Sequence, residues 1–568
     1  MSPSRINNLR PRSVSANSPG VLSNHRNPLG IRRVSVGAVW NVGGSSIVSD
    51  SSIAVPDGRG GMIGSGTNAP LYKSAFLDQI DPDSQGETFE RRLALALDLD
   101  RTERILGSVL SKNAENHNDG NRLGDFYTNT TWKDNQWVKE GSVSFLDAPS
   151  LRDDFYCSLL AYSHTVKCLA VGLGSHVYLW SEARGVNTPN GLNTISTAHV
   201  TSIAFSSTQG GSAILAVGRA DGHITLWSPL DQEPRFDSRQ PGSVSCVCFR
   251  PTIVKRQSIR DPAITVNTEE LLVGDEAGHI YFYAIEWPNE QTCALFDWHG
   301  SMTLLARLSP HSQQVCGLAW SPDGEFFTTG ANDNICYLFE TKKVLANHNP
   351  TAPAVLNVRI GRDGSKTWTI IPGVDSVLSL DASAAKHQWT LNAAIKAIAF
   401  CPFQRGLIAI GGGSNDRCIH FYHTLSGACL ATIDCSAQVT SLVWSTTRRE
   451  IAATFGFAQP EHPYRIAVFT WPACEQVVAI PWFDEIRALY AIPYPGGPNM
   501  GNRGEGGMWW NRTQEEGCLV VATSDCSIKF HEIWGEERKR RRGGGLLGGS
   551  DILEGLHGVE RDDGRVIR

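Results

Sequence analysis

The sequence predicts an all-β fold: a seven-bladed WD-repeat β-propeller, flanked by a disordered N-terminal extension and a flexible C-terminal tail. Three observations predict it. A strand-sized apolar unit recurs seven times between residues 157 and 491. Most copies are followed by a small-apolar stretch that often ends in Gly, then by a strand closing on an aromatic residue. Asp-Gly, Gly-Gly and Pro-Asp-Gly turns punctuate these runs.

The unit reads apolar-x-x-apolar-x-aromatic. It occurs as Val200-Thr-Ser-Ile203-Ala-Phe205, Val244-Ser-Cys-Val247-Cys-Phe249 and Val315-Cys-Gly-Leu318-Ala-Trp320. It recurs as Ile395-Lys-Ala-Ile398-Ala-Phe400 and Val439-Thr-Ser-Leu442-Val-Trp444. Cys157 to Tyr162 is a weaker copy, and Ile486-Arg-Ala-Leu489-Tyr-Ala491 reads as the seventh, with Ala at the aromatic place. The closing strands end at Trp180, Trp227, Tyr283, Phe339, Tyr422, Phe469 and His531, at intervals of 47, 56, 56, 83, 47 and 62 residues. The shortest intervals approach the length of a WD unit, and the longer ones imply insertions at 341–392 and 494–516. One four-stranded sheet cannot bury both faces; seven stacked radially can. A strand near Leu146 to Phe155 would complete the last blade and close the ring.

Composition sets the remaining organisation. Apolar residues make up 41% and charged residues 19% of the 568, so most of the chain can fold. The net charge of −6 argues against a nucleic-acid-coating protein. No apolar run reaches membrane-spanning length and no secretory core is visible, so no membrane partner is expected. The 14 Cys include no Cys-x-x-Cys, which predicts reduced thiols inside strands and no metal or other cofactor. Nucleus and cytoplasm are the expected compartments. No phosphate loop, nucleophile elbow or metalloprotease helix occurs, and the 16 His are dispersed, mostly as turn or surface residues, so no enzyme is expected.

Residues 1–85 are the Arg-, Ser- and Gly-rich extension. Six Arg and no acid fall in the first 49 residues, a bias shared with mitochondrial transit peptides, but Pro3, Pro11, Pro19 and Pro28 break any long amphipathic helix. Residues 86–145 form a linker whose 88–106 stretch carries Phe89, Leu93 and Leu97 at helical spacing before Gly107. Residues 146–535 form the propeller, and 536–568 a basic, Gly-rich tail ending in Ile-Arg.

Four stretches carry a family resemblance. They are Leu146-Asp-Ala-Pro-Ser-Leu-Arg-Asp-Asp-Phe-Tyr156; His311 to Gly324 with Gly330-Ala-Asn-Asp-Asn334; Lys396 to Gln459 with its Gly411-Gly-Gly-Ser-Asn-Asp-Arg417 and Gln438-Val-Thr-Ser-Leu442; and the terminal Ile567-Arg568. Together they resemble the fizzy/fizzy-related family, the WD-repeat co-activators of the anaphase-promoting complex/cyclosome. The Arg-rich leader and the insertions look like its meiosis-specific fungal branch.

The resemblance implies a non-enzymatic adaptor, monomeric when free, that brings degron-bearing substrates such as cyclins to a ubiquitin ligase. Asp154, Phe155, Asn332, Asn334, Ser414 and Gln438 match positions that read the KEN degron, with Phe155 where the family usually has Tyr and Ser414 where it often has Thr. Asp147 matches an acid that pairs with the destruction-box Arg. Cys526 falls where a second such acid is expected, and Glu485 where a family Arg would pair with the degron acid; a carboxylate there would repel it. Arg104-Ile105-Leu106 resembles a short docking element, and Ile567-Arg568 a terminus that inserts into a helical-repeat subunit of the ligase. The run Arg538-Lys-Arg-Arg-Arg542 reads as a nuclear signal, a phosphate-binding patch or a solvated charge run. The family's Asp-Arg-Phe/Tyr-Ile-Pro element has no counterpart string here. The alternative function is a WD-repeat scaffold that binds partners without promoting ubiquitin transfer.

Overall fold

A computed structural model describes residues 144–181, 184–193, 196–346, 377–446, 448–482, 485–495 and 518–534, with short pieces at 54–56, 62–64, 69–74, 76, 130–133, 136–139, 354–360 and 366–372. The helix expected over 88–106, Arg104, Ile105, Leu106, the basic run and Ile567-Arg568 lie outside the described residues.

The architecture is an all-β WD-repeat propeller. Among the described residues, sheets of four or more strands succeed one another along the chain, and six of them are plain blades of four or five strands. Sheet 1 runs from Leu160–Ser163 to Gly185–Asn187, and sheet 2 from Val200–Phe205 to Phe236–Arg239. Sheet 4 joins Val315–Trp320, Phe326–Ala331, Ile335–Glu340 and His387–Thr390. Sheet 5 runs from Ile395–Phe400 to Cys429–Asp434, and sheet 6 from Ala437–Trp444 to Gln476–Pro481. Sheet 7 joins Ala488–Tyr494, Cys518–Thr523 and Ser527–Glu532 to Ser144–Asp147.

Sheet 3 departs from the plain form expected of seven blades. Its antiparallel core, Val244–Phe249, Thr265–Asp275, Ile280–Glu286 and Ser301–Ser309, belongs to an eight-stranded sheet. The insertion expected at 341–392 supplies much of the excess. Ala354–Ile360 and Lys366–Pro372 form a hairpin whose second strand lies parallel to Ser301–Ser309, and Leu378–Asp381 continues along the same edge. An outer strand otherwise left open is thereby covered.

The motif has a direct packing reason. The inner strands of successive sheets touch in turn, and that of sheet 7 touches that of sheet 1. The aromatic at the end of an inner strand leans on its predecessor: the Trp320 ring N–H donates to the Cys248 carbonyl at 3.3 Å, and Trp444 to the Ala399 carbonyl at 3.1 Å. The Gly closing the second strand sits where neighbouring sheets approach most closely. A Cβ on Gly218 would lie 2.4 Å from a Val244 methyl, and one on Gly411 the same distance from Val439. These strands are therefore buried on both faces, as Leu215, Ala216 and Val217 show.

Two expectations change. The ring-closing strand is Ser144–Asp147, pairing Asp147 with Ser527, and not the longer stretch to Phe155; Pro149 ends it and Leu151 turns inward. Part of the 1–85 extension is ordered. Leu71–Lys73 adds a parallel fifth strand to sheet 5, pairing Tyr72 with Ile433. Tyr72 and Phe76 join the core, Phe76 stacking on Tyr464 at 4.9 Å. A local apolar cluster within a polar segment is sufficient to dock it on an exposed edge.

Candidate peptide-binding site

Chain direction places the candidate residues. In each sheet the turn between the second and third strands, and the link into the next inner strand, fall at one end of the ring. Asn332, Asn334 and Ser414 lie in such turns, while Asp154, Phe155, Gln438 and Arg487 lie in or beside such links. Sequence-distant residues thus converge on one mouth.

The convergence is seen in the hydrogen bonds. The Tyr156 hydroxyl donates to the Asn332 side-chain oxygen at 2.8 Å, linking the lead-in to sheet 1 with sheet 4. Asn332 in turn donates to the Gln313 side-chain oxygen at 2.8 Å. Asp154 accepts the Tyr156 backbone N–H at 2.9 Å and stands 3.5 Å from Arg152. Burial, with Cys316 and Asp154 adding to it, raises the Tyr156 pKa, so the phenol stays a donor. Asn334 occupies the left-handed region, at φ 67°, which tightens its turn. Ser414 is exposed. Gln438 is buried, and its side-chain oxygen accepts the Phe457 backbone N–H at 3.4 Å.

Arg487 brings a positive charge to the mouth. It pairs with Asp153 and lies over the exposed Phe457 ring at 4.6 Å. This corrects the register of the seventh repeat. The inner strands of sheets 2 to 6 carry an irregularity two residues after the first apolar position, as between Val315 and Gly317 or Ile395 and Ala397. In sheet 7 the irregularity falls between Ala488 and Tyr490, so Ala488, not Ile486, opens the unit. The position preceding it, equivalent to Gln438 in sheet 6, is Arg487, and Glu485 is an exposed residue further out. The expected repulsive carboxylate is replaced by a cation.

Beneath the mouth lies a residue that the sequence pattern did not single out. The Lys396 ammonium is buried and donates to the carbonyls of Cys157 at 2.8 Å and Leu489 at 3.2 Å. It also lies 5.4 Å from the Phe155 ring centre and 4.9 Å from that of Tyr490. One side chain from sheet 5 thus ties the lead-in of sheet 1 to sheet 7. Burial lowers its pKa to about 8, opposed by neighbouring Cys157 and Asp154.

Asp147 stands apart from the mouth, exposed at the end of the outer strand of sheet 7. Cys526 is its neighbour: the Ala148 N–H donates to the Cys526 carbonyl at 2.9 Å, and the Cys526 thiol is exposed. Asp525 does not substitute for a second rim acid. It is held by Thr523, by Ser527 at 2.7 Å and by Lys529 at 3.2 Å, which lowers its pKa despite burial.

Several histidines expected at turns or the surface are structural. His311 bridges Asp333 at 3.1 Å and Thr329 at 2.8 Å, tying a link to the adjacent turn of sheet 4. Asp416, Cys418 and His420 lie close enough to hold a metal ion. However, Asp416 already accepts His420 at 2.8 Å; burial alone would lower the His420 pKa, and the Asp416 charge overcomes it, raising it to about 10. A buried ion pair accounts for the arrangement.

These features define a WD-repeat propeller with a polar, charge-bearing mouth, and residues 302–340 match the WD domain, G-beta repeat family. An uncharacterised WD repeat-containing protein of Schizosaccharomyces pombe is 32% identical over 428 residues, covering 74% of this chain and 65% of that protein. Meiotic fizzy-related protein 2 of the same organism is 31% identical over 439 residues, covering 74% of this chain and 69% of the relative. The meiosis-specific APC/C activator protein AMA1 of Saccharomyces cerevisiae is 28% identical over 437 residues, covering 74% and 63%. The chain therefore matches about two thirds of the length of these relatives. It belongs to the fizzy/fizzy-related family.

Proposed function

We propose that the chain is a substrate-recruiting co-activator of the anaphase-promoting complex ubiquitin ligase in cell-cycle or meiotic control, acting by binding and not by catalysis. The observation that carries this reading is the gathering of Asp154, Asn332, Asn334, Gln438 and Arg487 at one mouth. A Lys-Glu-Asn peptide requires a carboxylate for its ammonium, a guanidinium for its carboxylate and amides for its side-chain amide. Asp154, Arg487 and the Asn and Gln side chains supply these classes of group. Phe155, Phe457 and Tyr490 offer apolar surface beside them, and Ser414 adds an exposed hydroxyl. In this reading the core of sheet 3 serves as the seventh blade of the ring.

A destruction box would lie along the edge marked by Asp147. With Cys526 beside it, one carboxylate instead of two meets the Arg, which weakens the contact by about 1 kcal/mol or less at an exposed pair. Arg104-Ile105-Leu106 and Ile567-Arg568 would dock the ligase, the terminus binding a helical-repeat subunit. Two weak contacts joined by a flexible tail gain avidity. Substrates would be degron-bearing proteins such as cyclins, encountered in nucleus and cytoplasm.

The test is a capture assay against ligase subunits, comparing the full chain with the chain lacking Ile567 and Arg568. The proposal expects capture by the full chain and clear loss on truncation. Negligible capture by both would support the scaffold alternative.

A further inference from the structure

At the end of the strands opposite the mouth, a cleft of about 320 Å³ opens between sheets 2 and 3. It is lined by the first loop of sheet 2, the extended hairpin Val254–Gln257 with Thr265–Asp275, and the loop leading into helix Glu290–Phe296. Asp275 ends its strand at the mouth side, so Thr268 and Glu269 lie at the far end.

Glu269 lines this cleft. It is 4% exposed, and among the described residues no side chain donates to its carboxylate oxygens, the Ser207 backbone amide being the donor that faces them. Every nearby acid is otherwise engaged. Glu270, on the opposite face of the same strand, takes Arg250 and Arg256. Glu286 accepts from Ser258 at 2.8 Å, the Trp298 ring at 3.0 Å and the Ile259 N–H at 3.2 Å. The Cβ of any larger residue at Gly210 would fall 1.9 Å from a Glu269 oxygen, so the glycine leaves room for this carboxylate. Leaving a buried carboxylate under-satisfied costs about 1–3 kcal/mol, which a donor entering the cleft would recover.

The border is mixed: Ile264 in the lining is 42% exposed, Ile259 and Phe296 beside it are 45% and 54% exposed, and Arg260, also in the lining, lies over the Phe296 ring at 4.0 Å. A buried acceptor with exposed apolar residues on part of its border has the form of an anchor pocket. A carboxylate without a side-chain partner matches the forked donors of a guanidinium better than a point ammonium. Ile253, Ile264 and Ile285 in the walls suit its methylene stem.

We propose that this cleft docks an arginine side chain, flanked by apolar residues, from an extended segment of a partner protein, with Glu269 as acceptor. Burial, with the Glu270 charge adding and the Ser207 amide opposing, raises the Glu269 pKa to about 7, so an arriving cation would draw it into the charged form.

The test is fluorescence anisotropy on the full chain with a labelled, capped Leu-Ala-Arg-Ala-Leu peptide and its citrulline counterpart, which keeps shape and loses charge. The expected result is at least about tenfold tighter binding of the arginine peptide. That preference should vanish in Glu269→Gln, and also in Asn267→Lys, an exposed position at the cleft. Equal binding of the two peptides, absence of binding by either, or a preference that survives both substitutions overturns the proposal. None of these results bears on the mouth, which lies at the other end of the strands.

Discussion

Lys396 provides a prediction whose magnitude follows from the structure. Its ammonium is buried beneath the mouth and held by two carbonyls, and its pKa falls from 10.5 to about 8. Each unit corresponds to about 1.4 kcal/mol, so keeping the charge in the folded state at neutral pH costs on the order of 3 kcal/mol. Below pH 8 both folded and unfolded states carry the proton, and the full cost is present. Between about 8 and 10.5 only the unfolded state does, so stability rises with pH; above that window the cost is gone. Buried thiols act in the opposite direction, Cys157 being raised to about 11 by burial, so the wild-type curve alone is not informative. The informative quantity is the difference in unfolding free energy between wild type and Lys396→Met, from urea titrations at pH 7.5, 9 and 10.5. The variant leaves the Cys157 and Leu489 carbonyls unpaired, a loss that does not depend on pH. The wild type should gain on the variant by about 3 kcal/mol across the window. A difference that stays flat or falls would refute the argument that Lys396 is charged and buried.

Three further predictions follow from other parts of the ring. Glu269→Gln should stabilise the chain by about 3 kcal/mol at pH 8 and by almost nothing near pH 4.5, since a carboxyl raised to about 7 imposes its cost only as pH climbs through that range; thermal melts at both pH values check it. Gly411→Val should lose about 2 kcal/mol or more in urea, because its Cβ would meet Val439 at 2.4 Å across two sheets, whereas Gly185→Ala, which meets nothing within 4 Å but sits at φ 68°, should cost only about 1 kcal/mol. Asp147→Lys should impair destruction-box peptides measured by anisotropy and leave KEN peptides unchanged, the residue being on the rim and not at the mouth.

The parts of this molecule legible in the sequence are those governed by local periodicity. Units such as Val315 to Trp320 read correctly because their apolar spacing, their aromatic and the following Gly each answer a packing demand repeated in every sheet. Sheet 7 misled because Ile486 imitates the opening apolar residue while the true opening is the smaller Ala488, with Pro493 where an aromatic usually stands. The eight-stranded sheet and the docked Leu71–Lys73 strand were not legible because parallel pairing to a distant edge leaves no local signature. Lys396 escaped for a related reason: a lysine between Ile395 and Ala397 looks like a solvent-facing position until closure of the ring places two carbonyls against it. Of the candidate mouth, Asp154, Asn332 and Gln438 were named from the sequence, whereas Tyr156 and Arg487 required the fold.

The measurement that addresses the central claim most directly is the affinity of a labelled Lys-Glu-Asn peptide for the full chain, compared with Arg487→Glu and Asn332→Ala. The account predicts saturable binding by wild type, at least about tenfold weaker binding by Arg487→Glu, and partial recovery for that variant when the peptide Glu is replaced by Lys. Wild-type affinity in both variants, with no change of preference on reversing the charges, would contradict it.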